Sequence, residues 1–198
     1  MTDADKRDRI IAAAYEVLSE KGYDKASTKE IANTAGVAQG LINYYFSSKD
    51  LLFAEVFRRQ TINFCASFDH LIEPNQSELN PESILKLLEV SKKRALEEQD
   101  WFRLRQELFA IGLRNDAARE TLREMLQTER QHISARVAEI SGLPRSFTDV
   151  FASIFYSVFE GLSLQKVADS TFEYDQAYAM VAEMLGAYYE KLSKQRES

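Results

Sequence analysis

Glycine and proline, the two residues that interrupt helices, are scarce in this chain. Only 3 Pro and 7 Gly occur in 198 residues, so the stretches between them are long. Inside a helix, proline costs about 3 kcal/mol and glycine about 1 kcal/mol relative to alanine, so their scarcity favours helices. The sequence shows no alternating period-two run, no Asn-Gly hairpin turn and no repeat of fixed period. We therefore predict an all-α fold of about nine helices.

Composition excludes several classes of protein. Hydrophobic residues are 45% and charged residues 28% of the chain, the ordinary globular balance. Cys65 cannot form an internal disulfide, and His70 and His132 stand too far apart in sequence for a zinc motif. The longest charge-free apolar block, 150–159, is about half of a membrane span of ~20 residues. We expect no membrane partner, and the absence of a signal-peptide pattern predicts a cytoplasmic protein.

Charge is unevenly distributed along the chain. The net charge is −6, yet residues 1–60 carry nine basic and nine acidic side chains and are neutral. The rest therefore carries the whole excess of acid. The first third is the less repulsive end towards a polyanion, although it is not the basic domain that coats nucleic acid nonspecifically.

Three short helices are predicted before residue 48. Gly22 is a typical C-terminal stop for the first of them. Ser27 and Glu30 have the spacing of a capping box, which predicts that the second helix begins there. Gly36 allows the sharp turn that ends it. The predicted helices span 6–21, 27–36 and 37–46.

Longer helices are predicted in the rest of the chain. One starts at Lys49 or the next residue and continues to about Leu71. The polar segment 73–79 is the best loop candidate. Asn80 followed by Pro81 is typical of an N-cap with proline at the first helical position. The further predicted helices span 81–98, 100–113, 116–141, 145–168 and 172–194.

Two short helices joined by a tight glycine-containing turn are typical of a helix-turn-helix, whose second helix enters the major groove of DNA. The amides of Gln39 and Asn43 each offer a donor and an acceptor to an adenine edge. Leu41 can meet a thymine methyl, and the Tyr44 hydroxyl can reach a phosphate. Candidate phosphate contacts at neighbouring helix N-termini, where backbone N–H groups favour anions, are Thr28, Lys29 and Lys49.

Other residues of this segment have structural interpretations. Tyr45 and Phe46 are predicted to belong to the core, and Gly40 to permit close backbone approach. Three basic residues of the first helix either contact phosphates or solvate that helix. They are Lys6, Arg7 and Arg9.

An ordered set of residues between positions 9 and 57 carries a resemblance to a known family. They are Ile10-Ile11-Ala12-Ala13-Ala14, Leu18, Gly22-Tyr23, Thr28-Lys29-Glu30-Ile31-Ala32, Ala35-Gly36-Val37, Gly40, Tyr45-Phe46 and Ser48-Lys49-Asp50-Leu51-Leu52. This set resembles the tetracycline-repressor-like (TetR) family of bacterial transcription regulators. That family typically has Ser-Lys-Gly-Thr-Leu-Tyr where this chain has Ala38-Gln39-Gly40-Leu41-Ile42-Asn43, so the operator sequence cannot be carried over.

The resemblance implies a function and a division into domains. Gln39, Leu41 and Asn43 would face bases, while Thr28, Tyr44 and Lys49 would hold phosphates. Residues 1–48 would be the helix-turn-helix DNA-binding domain, and residues 49–198 a helical ligand-binding and dimerisation domain. The expected protein is a repressor released from a palindromic double-stranded DNA operator by a small hydrophobic or amphipathic effector.

The last two predicted helices have apolar faces wider than a single stripe. Such helices need cover on more than one side, and a four-helix bundle formed with a second copy would provide it. Small residues spaced four apart on the first of these helices would let a partner helix come close; alternatively, the same residues pack inside one subunit. The predicted interface residues are Ser153, Ser157, Gly161, Leu164, Tyr178, Val181, Leu185 and Tyr188.

The helix predicted over 100–113 is apolar over most of its surface, with Arg105 and Gln106 interrupting it. A few polar groups amid apolar walls are typical of a small-molecule site, and a cationic Arg105 suits an anionic headgroup. Alternatively, either side chain bridges Glu107 or Glu120 at the surface. The predicted effector site comprises Phe68, Trp101, Phe102, Arg105, Gln106, Phe109, Met125, Phe155 and Phe159. His132 is predicted to be a helix-surface histidine.

Catalytic motifs are missing from the sequence. It contains no Gly-rich phosphate loop, no Gly-x-Ser-x-Gly and no His-Glu-x-x-His, so we expect no enzyme, no metal and no cofactor. A second hypothesis is a helical dimer that binds a hydrophobic small molecule without DNA function. The neutral first third and the departures from the family pattern at Ala38 and Asn43 favour it.

Overall fold

The structure is a computed structural model that describes residues 2–69 and 80–196. Within these ranges the chain forms nine α-helices and no strand, which confirms the predicted all-α class. The predicted loop over 73–79, together with His70 and Leu71, lies outside the described residues. The helices are α1 (Asp3–Lys25), α2 (Thr28–Ala35), α3 (Gln39–Tyr45), α4 (Lys49–Asp69), α5 (Pro81–Glu97), α6 (Gln99–Gly112), α7 (Asp116–Ser141), α8 (Arg145–Ala168) and α9 (Tyr174–Arg196).

Helix α1 starts earlier and ends later than predicted. It starts at Asp3 because Thr2 and Asp5 form a capping box: the Thr2 hydroxyl accepts from the Asp5 N–H over 3.1 Å, and the Asp5 carboxylate accepts from the Thr2 N–H over 2.7 Å. Gly22, the predicted stop, is a kink with φ 75° and ψ 170°, and one further turn follows it to Lys25.

The signals that bound α2 are confirmed. The Ser27 hydroxyl accepts from the Glu30 N–H over 3.2 Å, and the Glu30 carboxylate accepts in return from the Ser27 N–H over 3.2 Å. Gly36 ends the helix in the left-handed conformation, with φ 62° and ψ 42°. Helix α3 is shorter than predicted, because Val37 and Ala38 form the turn before it.

Later helix ends follow their predicted caps closely. The Asn80 side chain accepts from the Ser83 N–H over 2.9 Å, and the Ser83 hydroxyl accepts from the Asn80 N–H over 2.9 Å, which starts α5 at Pro81. Helices α7 and α8 have the predicted bounds. Helix α9 begins two residues later than predicted, because Asp169 holds the preceding turn by accepting from the Thr171 N–H over 2.9 Å.

The chain divides into two compact units. Unit 1 comprises Met1–Asn63 and Gln99–Gln127, and unit 2 comprises Phe64–Glu98 and Thr128–Ser198. This division differs from the predicted boundary at residue 48, because Trp101 and Leu108 of α6 share one apolar core with the first four helices. The boundary at residue 48 is a statement about function and stays a prediction.

In unit 2, α5 packs against α8 and α9. The core of unit 2 includes Ile84, Leu88 and Phe155, none of which is more than 1% exposed. Buried hydroxyls link its helices: the Ser134 and Thr148 hydroxyls of α7 and α8 lie 2.8 Å apart and are fully buried. Such paired polar groups fix one register between packed helices, because leaving either hydroxyl unpaired is costly.

Helix α8 is long and apolar enough to cross a membrane by length and composition, the one such helix among the described residues. This differs from the sequence expectation, which considered only the uninterrupted block 150–159. A core helix buried inside a globular protein can have the same length and apolar composition. Phe151, Phe155 and Phe159 of α8 are buried within unit 2, and the buried Ser163 hydroxyl accepts a hydrogen bond from Tyr174 over 2.8 Å.

Candidate nucleic-acid interface

Helix α3 is held against unit 1 by one of its faces. Ile42 is 1% exposed, and Phe46, just after the helix, is 5% exposed, both within the apolar core. The Arg9 guanidinium of α1 donates to the Ala35 carbonyl at the C-terminus of α2, where a cation is favoured. These contacts position the turn at Gly36 and direct the opposite face of α3 to solvent.

The solvent face of α3 presents four of the residues predicted to contact DNA. Gln39, Gly40, Asn43 and Tyr44 are all exposed, Tyr44 to 74%. The pairs 39/43 and 40/44 are four residues apart and therefore lie on one side of the helix. A Cβ atom added to Gly40 would meet no atom within 4 Å, so the surface around it is open. The amides of Gln39 and Asn43 and the phenol of Tyr44 thus project into solvent from a helix whose opposite face is packed in the core.

Thr28 and Lys29 lie beside this face, at the first turn of α2. The Gln39 amide donates to the Thr28 hydroxyl, with 3.2 Å between Nε2 and Oγ1. Lys29 is exposed. The structure therefore brings Thr28 next to a predicted base-reading residue, and it leaves the Lys29 ammonium in solvent, where a phosphate can approach.

Leu41, Tyr45 and Phe46 follow the other side of the recognition helix. Leu41 is half-buried and packs against the core, so less of it is available to a base than predicted. Phe46 is buried as predicted. Tyr45 packs its ring against the core, but its hydroxyl reaches the surface and donates to the Asp3 carboxylate. That hydrogen bond raises the pKa of Tyr45 to about 12.

Lys49 is engaged within unit 1 and is half-buried. Its ammonium donates to the Tyr23 carbonyl and lies 4.2 Å from the centroid of the Tyr23 ring. The predicted phosphate contact of Lys49 stays a prediction. In the structure the ammonium holds the kink of α1 against the first turn of α4.

Two of the three basic residues of α1 are also engaged inside unit 1. Arg7 forms an ion pair with Glu55 at 3.1 Å and lies 5.3 Å from the centroid of the Phe46 ring. Arg9 binds the C-terminus of α2, as described above. Their contacts hold α1 against α2, α3 and α4. The choice between phosphate contact and solvation of α1 stays a prediction. Lys6 is half-buried.

Sequence reasoning missed the contact between Tyr23 and Glu107. The Tyr23 N–H donates to Glu107 Oε1 over 2.9 Å, and the Tyr23 hydroxyl donates to the Asp50 carboxylate. Burial, and then the hydrogen bond to Asp50, raises the pKa of Tyr23. No periodicity predicts a contact 84 residues apart; the only signal was the Gly22-Tyr23 pair within the family resemblance.

The predicted effector residues of α6 and α7 are largely buried in unit 1. Trp101 is 2% exposed and packs on Phe57, with ring centroids 5.1 Å apart, so it belongs to the core rather than to an open wall. Arg105 is 3% exposed; its guanidinium lies 5.7 Å from the Trp101 ring centroid and 3.8 Å from Met125 Sδ. Phe102 is buried too.

The alternative of a surface salt bridge for Arg105 is wrong, because that side chain is buried. Glu107 accepts from the Tyr23 N–H, and Glu120 accepts from the Arg123 guanidinium over 2.8 Å. Gln106 is half-buried. Of the two polar interruptions of α6, Arg105 therefore points into the protein.

The remaining predicted effector residues are distributed over both units. Phe109 of unit 1 is half-buried and packs against the core. In unit 2, Phe155 and Phe159 are buried, and the Phe159 ring stacks on Phe64 at 6.5 Å between centroids. The side chain of Phe68 lies outside the described residues.

Half of the predicted interface residues on α8 and α9 are exposed. Ser157 and Gly161 are exposed, and Ser153, Val181 and Leu185 are half-buried. The predicted residues Leu164 and Tyr188 are exposed as well, and the same helices expose four further large apolar side chains: Val150, Ile154, Met180 and Met184. Many large apolar side chains exposed on two neighbouring helices are typical of an interaction site.

Tyr178 does not belong to that surface and is a correction to the predicted interface. It is 2% exposed, and its hydroxyl donates to the Tyr174 hydroxyl over 2.8 Å inside unit 2. His132 is also less exposed than predicted, since it is half-buried with Nε2 3.0 Å from Asp69 Oδ1. Across residues 2–69 and 80–196, no group of three or more His, Cys, Asp or Glu is placed to hold a metal ion.

Comparisons with known proteins point to one family. Residues 10–56 match the model for bacterial regulatory proteins of the tetR family. The HTH-type transcriptional regulator YvdT of Bacillus subtilis is 55% identical over 47 residues, 24% of each chain. The HTH-type transcriptional regulator UidR of Escherichia coli K12 is 28% identical over 135 residues, 67% of this chain and 65% of that protein. Each match spans less than two thirds of the relative's own length.

The fold likeness extends over most of the chain. The multidrug binding protein EbrR, in its complex with ethidium, superposes with a TM-score of 0.72 and 23% identity, covering 91% of this chain and 98% of that one. At this identity the likeness shows the fold alone. The family-model match and the regulator relatives assign a helix-turn-helix of the DNA-binding type to the N-terminal segment. Residues 10–56 thus form a helix-turn-helix segment of the kind found in the tetR family of bacterial regulatory proteins.

Proposed function

We propose that this protein is a cytoplasmic repressor that binds a palindromic operator as a homodimer and leaves it when a small effector binds. The observation that carries the DNA part is the exposed face of α3. Gln39 and Asn43 lie one turn apart on it, and Ile42 anchors the helix behind them. Amides placed this way can form bidentate hydrogen bonds with adenine in the major groove.

The uncovered apolar surface on α8 and α9 supports the homodimer. Ile154 is 50% and Met184 is 66% exposed, although both are large apolar residues on helices otherwise packed in unit 2. Gly161, on the same face of α8 as Ile154, has no neighbour within 4 Å of an added Cβ, so a second helix can come close there. A twofold dimer covers both helices at once and carries two copies of α3 to a palindrome.

An effector that releases DNA is the finer part of the proposal. EbrR, which shares the fold, is described as a multidrug binding protein and is complexed with ethidium. In this chain, the sequence pattern of polar residues interrupting the apolar α6 supports an effector of amphipathic chemistry. To release operator the effector must bind the DNA-incompetent arrangement more tightly; a coupling of about 1–3 kcal/mol gives a ~5- to ~150-fold change in affinity.

The second candidate is a helical dimer that binds a hydrophobic molecule without DNA function. The engagement of Lys49 and Arg7 within unit 1 favours it, because both cations are occupied where a DNA-binding surface would use them. Only the first candidate explains the exposed amides of α3. The two differ in a single measurable property, which is sequence-specific binding to a duplex.

Fluorescence anisotropy separates the two candidates. The purified chain is titrated against labelled duplex from upstream of its own coding region, with and without excess nonspecific competitor. The proposal predicts binding that survives the competitor and weakens by about 1–3 kcal/mol in Asn43→Ala. Gln176→Ala, which removes an exposed amide on α9, is the control and should bind as the wild type does. Unchanged binding and sequence preference in Asn43→Ala would remove that residue from the interface.

A further inference from the structure

A hydrogen bond joins the N-termini of α2 and α3. Nε2 of Gln39 donates to Oγ1 of Thr28 over 3.2 Å. Each of the two residues is the first of its helix, behind the caps Ser27 and Ala38. The left-handed turn at Gly36 fixes α3 against α2, so the two side chains meet with both helices in place.

We propose that Thr28 is a positioning residue that sets the base preference of Gln39. The inference rests on the proposed DNA function and deepens it, because it names the base that Gln39 reads. That base is adenine, at one symmetric pair of operator positions.

The base preference follows from which donors and acceptors of the Gln39 amide stay available after the hydrogen bond to Thr28. A glutamine amide has two N–H donors and one carbonyl acceptor. Thr28 takes one donor, so the amide of Gln39 presents one N–H beside its Oε1. In the major groove adenine offers N7 as an acceptor beside its N6 amino donor, which matches this pair, whereas guanine offers two acceptors, O6 and N7. The bond to Thr28 therefore selects adenine over guanine.

Orientation matters here because Gln39 is exposed. A solvent-exposed glutamine keeps much of its rotamer freedom, and ordering it on binding costs conformational entropy. Without the Thr28 hydroxyl, the amide can rotate and present either its acceptor or both of its donors to a base. Thr28 removes that ambiguity before DNA arrives, so part of the ordering is complete in the free protein.

The Thr28 hydroxyl also keeps its own proton, which can be donated to a phosphate as the family resemblance implies. The two roles differ in what they do to binding. A lost phosphate contact weakens all duplexes alike, whereas a lost orientation of Gln39 changes the base preference at one position. An experiment that reads base preference therefore separates them.

The test is a selection of randomised duplexes by the full chain, comparing wild type, Thr28→Val and Thr28→Ser. Valine keeps the shape of threonine and removes the hydroxyl, and serine keeps the hydroxyl. We expect wild type and Thr28→Ser to select adenine at one symmetric pair. Thr28→Val should select the same palindrome with the adenine-over-guanine preference at that pair reduced at least about fivefold, and with the other positions unchanged.

A second variant, Gln39→Ala, shows which symmetric pair of operator positions is read by Gln39. Gln39→Ala should lose the same preference, and adding Thr28→Val to it should change that preference no further, because the two residues act as one unit. Gln39 is exposed, so its replacement leaves the core intact.

Three outcomes would overturn the proposal. In the first, Thr28→Val weakens every duplex by one factor and keeps the adenine preference, which would make Thr28 a phosphate contact only. In the second, the wild type prefers guanine at the pair, which requires the Gln39 amide to be reversed. In the third, Thr28→Val leaves both affinity and preference unchanged. A wild-type chain that enriches no duplex would instead contradict the proposed DNA function itself, and this inference with it.

Discussion

The backbone N–H of Tyr23 donates to the Glu107 carboxylate across 2.9 Å, joining α1 to α6 within unit 1. The bond exists because Gly22 has φ 75° and ψ 170°, which turns the next N–H away from its helical acceptor. The missing Cβ of Gly22 also leaves room for the carboxylate, whose Oε1 would lie 3.0 Å from that atom. Lys49, at the first turn of α4, holds the Tyr23 carbonyl, so one residue connects three helices.

Gly22→Ala should destabilise the protein by about 1–3 kcal/mol, because residues with a side chain rarely adopt that region of φ and ψ. The new methyl would also press on the Glu107 carboxylate. Urea denaturation followed by circular dichroism measures the change. Gly40→Ala is the control, since its Cβ meets nothing within 4 Å; we expect unchanged stability or a gain of up to about 1 kcal/mol. Equal effects at both glycines would refute the strain at Gly22.

Glu107→Ala should lower the free energy of unfolding by about 1–3 kcal/mol, because the Tyr23 N–H loses its acceptor in a half-buried site. Glu107→Gln should cost less, since its carbonyl oxygen can still accept. Glu124→Ala, an exposed position on α7, should stay within about 0.5 kcal/mol of wild type. The link between α1 and α6 is not a stabilising contact if Glu107→Ala unfolds at the same denaturant concentration as wild type.

The α2 cap should weaken in acid. Hydrogen bonds from Lys21 and Ser27 lower the pKa of Glu30 from 4.5 to about 2. A carboxyl whose folded pKa is depressed stabilises the fold above its unfolded pKa, and this contribution is lost as pH falls from 4.5 towards 2. Wild type should therefore be more stable than Glu30→Gln at pH 7, with the difference shrinking through that window. Denaturation midpoints measured across the window would contradict this if the difference stayed constant.

The apolar surface on α8 and α9 predicts the oligomeric state. Wild type should sediment at twice the 22.7 kDa chain mass. Ile154→Glu places a charge on the surface, and Gly161→Leu fills a space that is open in the single chain. Both should yield monomers, because a buried unpaired charge and a steric block each oppose close helix packing. Leu113→Glu, at a residue 78% exposed in unit 1, should remain dimeric. Dimers in all three variants would place the interface elsewhere.

Local signals predicted the helices, and long-range contacts are where prediction failed. The capping box of Ser27 with Glu30 and the Asn80–Pro81 pair bounded α2 and α5 correctly, because a cap is a contact between residues three apart. The same kind of signal, Thr2 with Asp5, was present and overlooked.

The candidate site shows the same limit. The exposure of Gln39 and Asn43 followed from helical periodicity, which also placed Ile42 inside. The composition of α6 predicts an effector wall that includes Trp101, yet Trp101 is buried by contacts with residues more than forty positions earlier, such as Phe57. A helix wheel shows that a face is apolar; it does not show which element covers it. Tyr178 was misassigned for that reason, since its partners lie within its own unit.

The most direct measurement compares the affinity of the purified chain for its selected palindrome with that for one half-site of it. Two recognition helices carried by one dimer bind a palindrome in a linked manner, so the palindrome should bind about 100-fold or more tightly. Gln39→Ala with Asn43→Ala should abolish that preference and leave the dimer intact. Equal affinities for palindrome and half-site, or a double variant that still prefers the palindrome, would contradict the account.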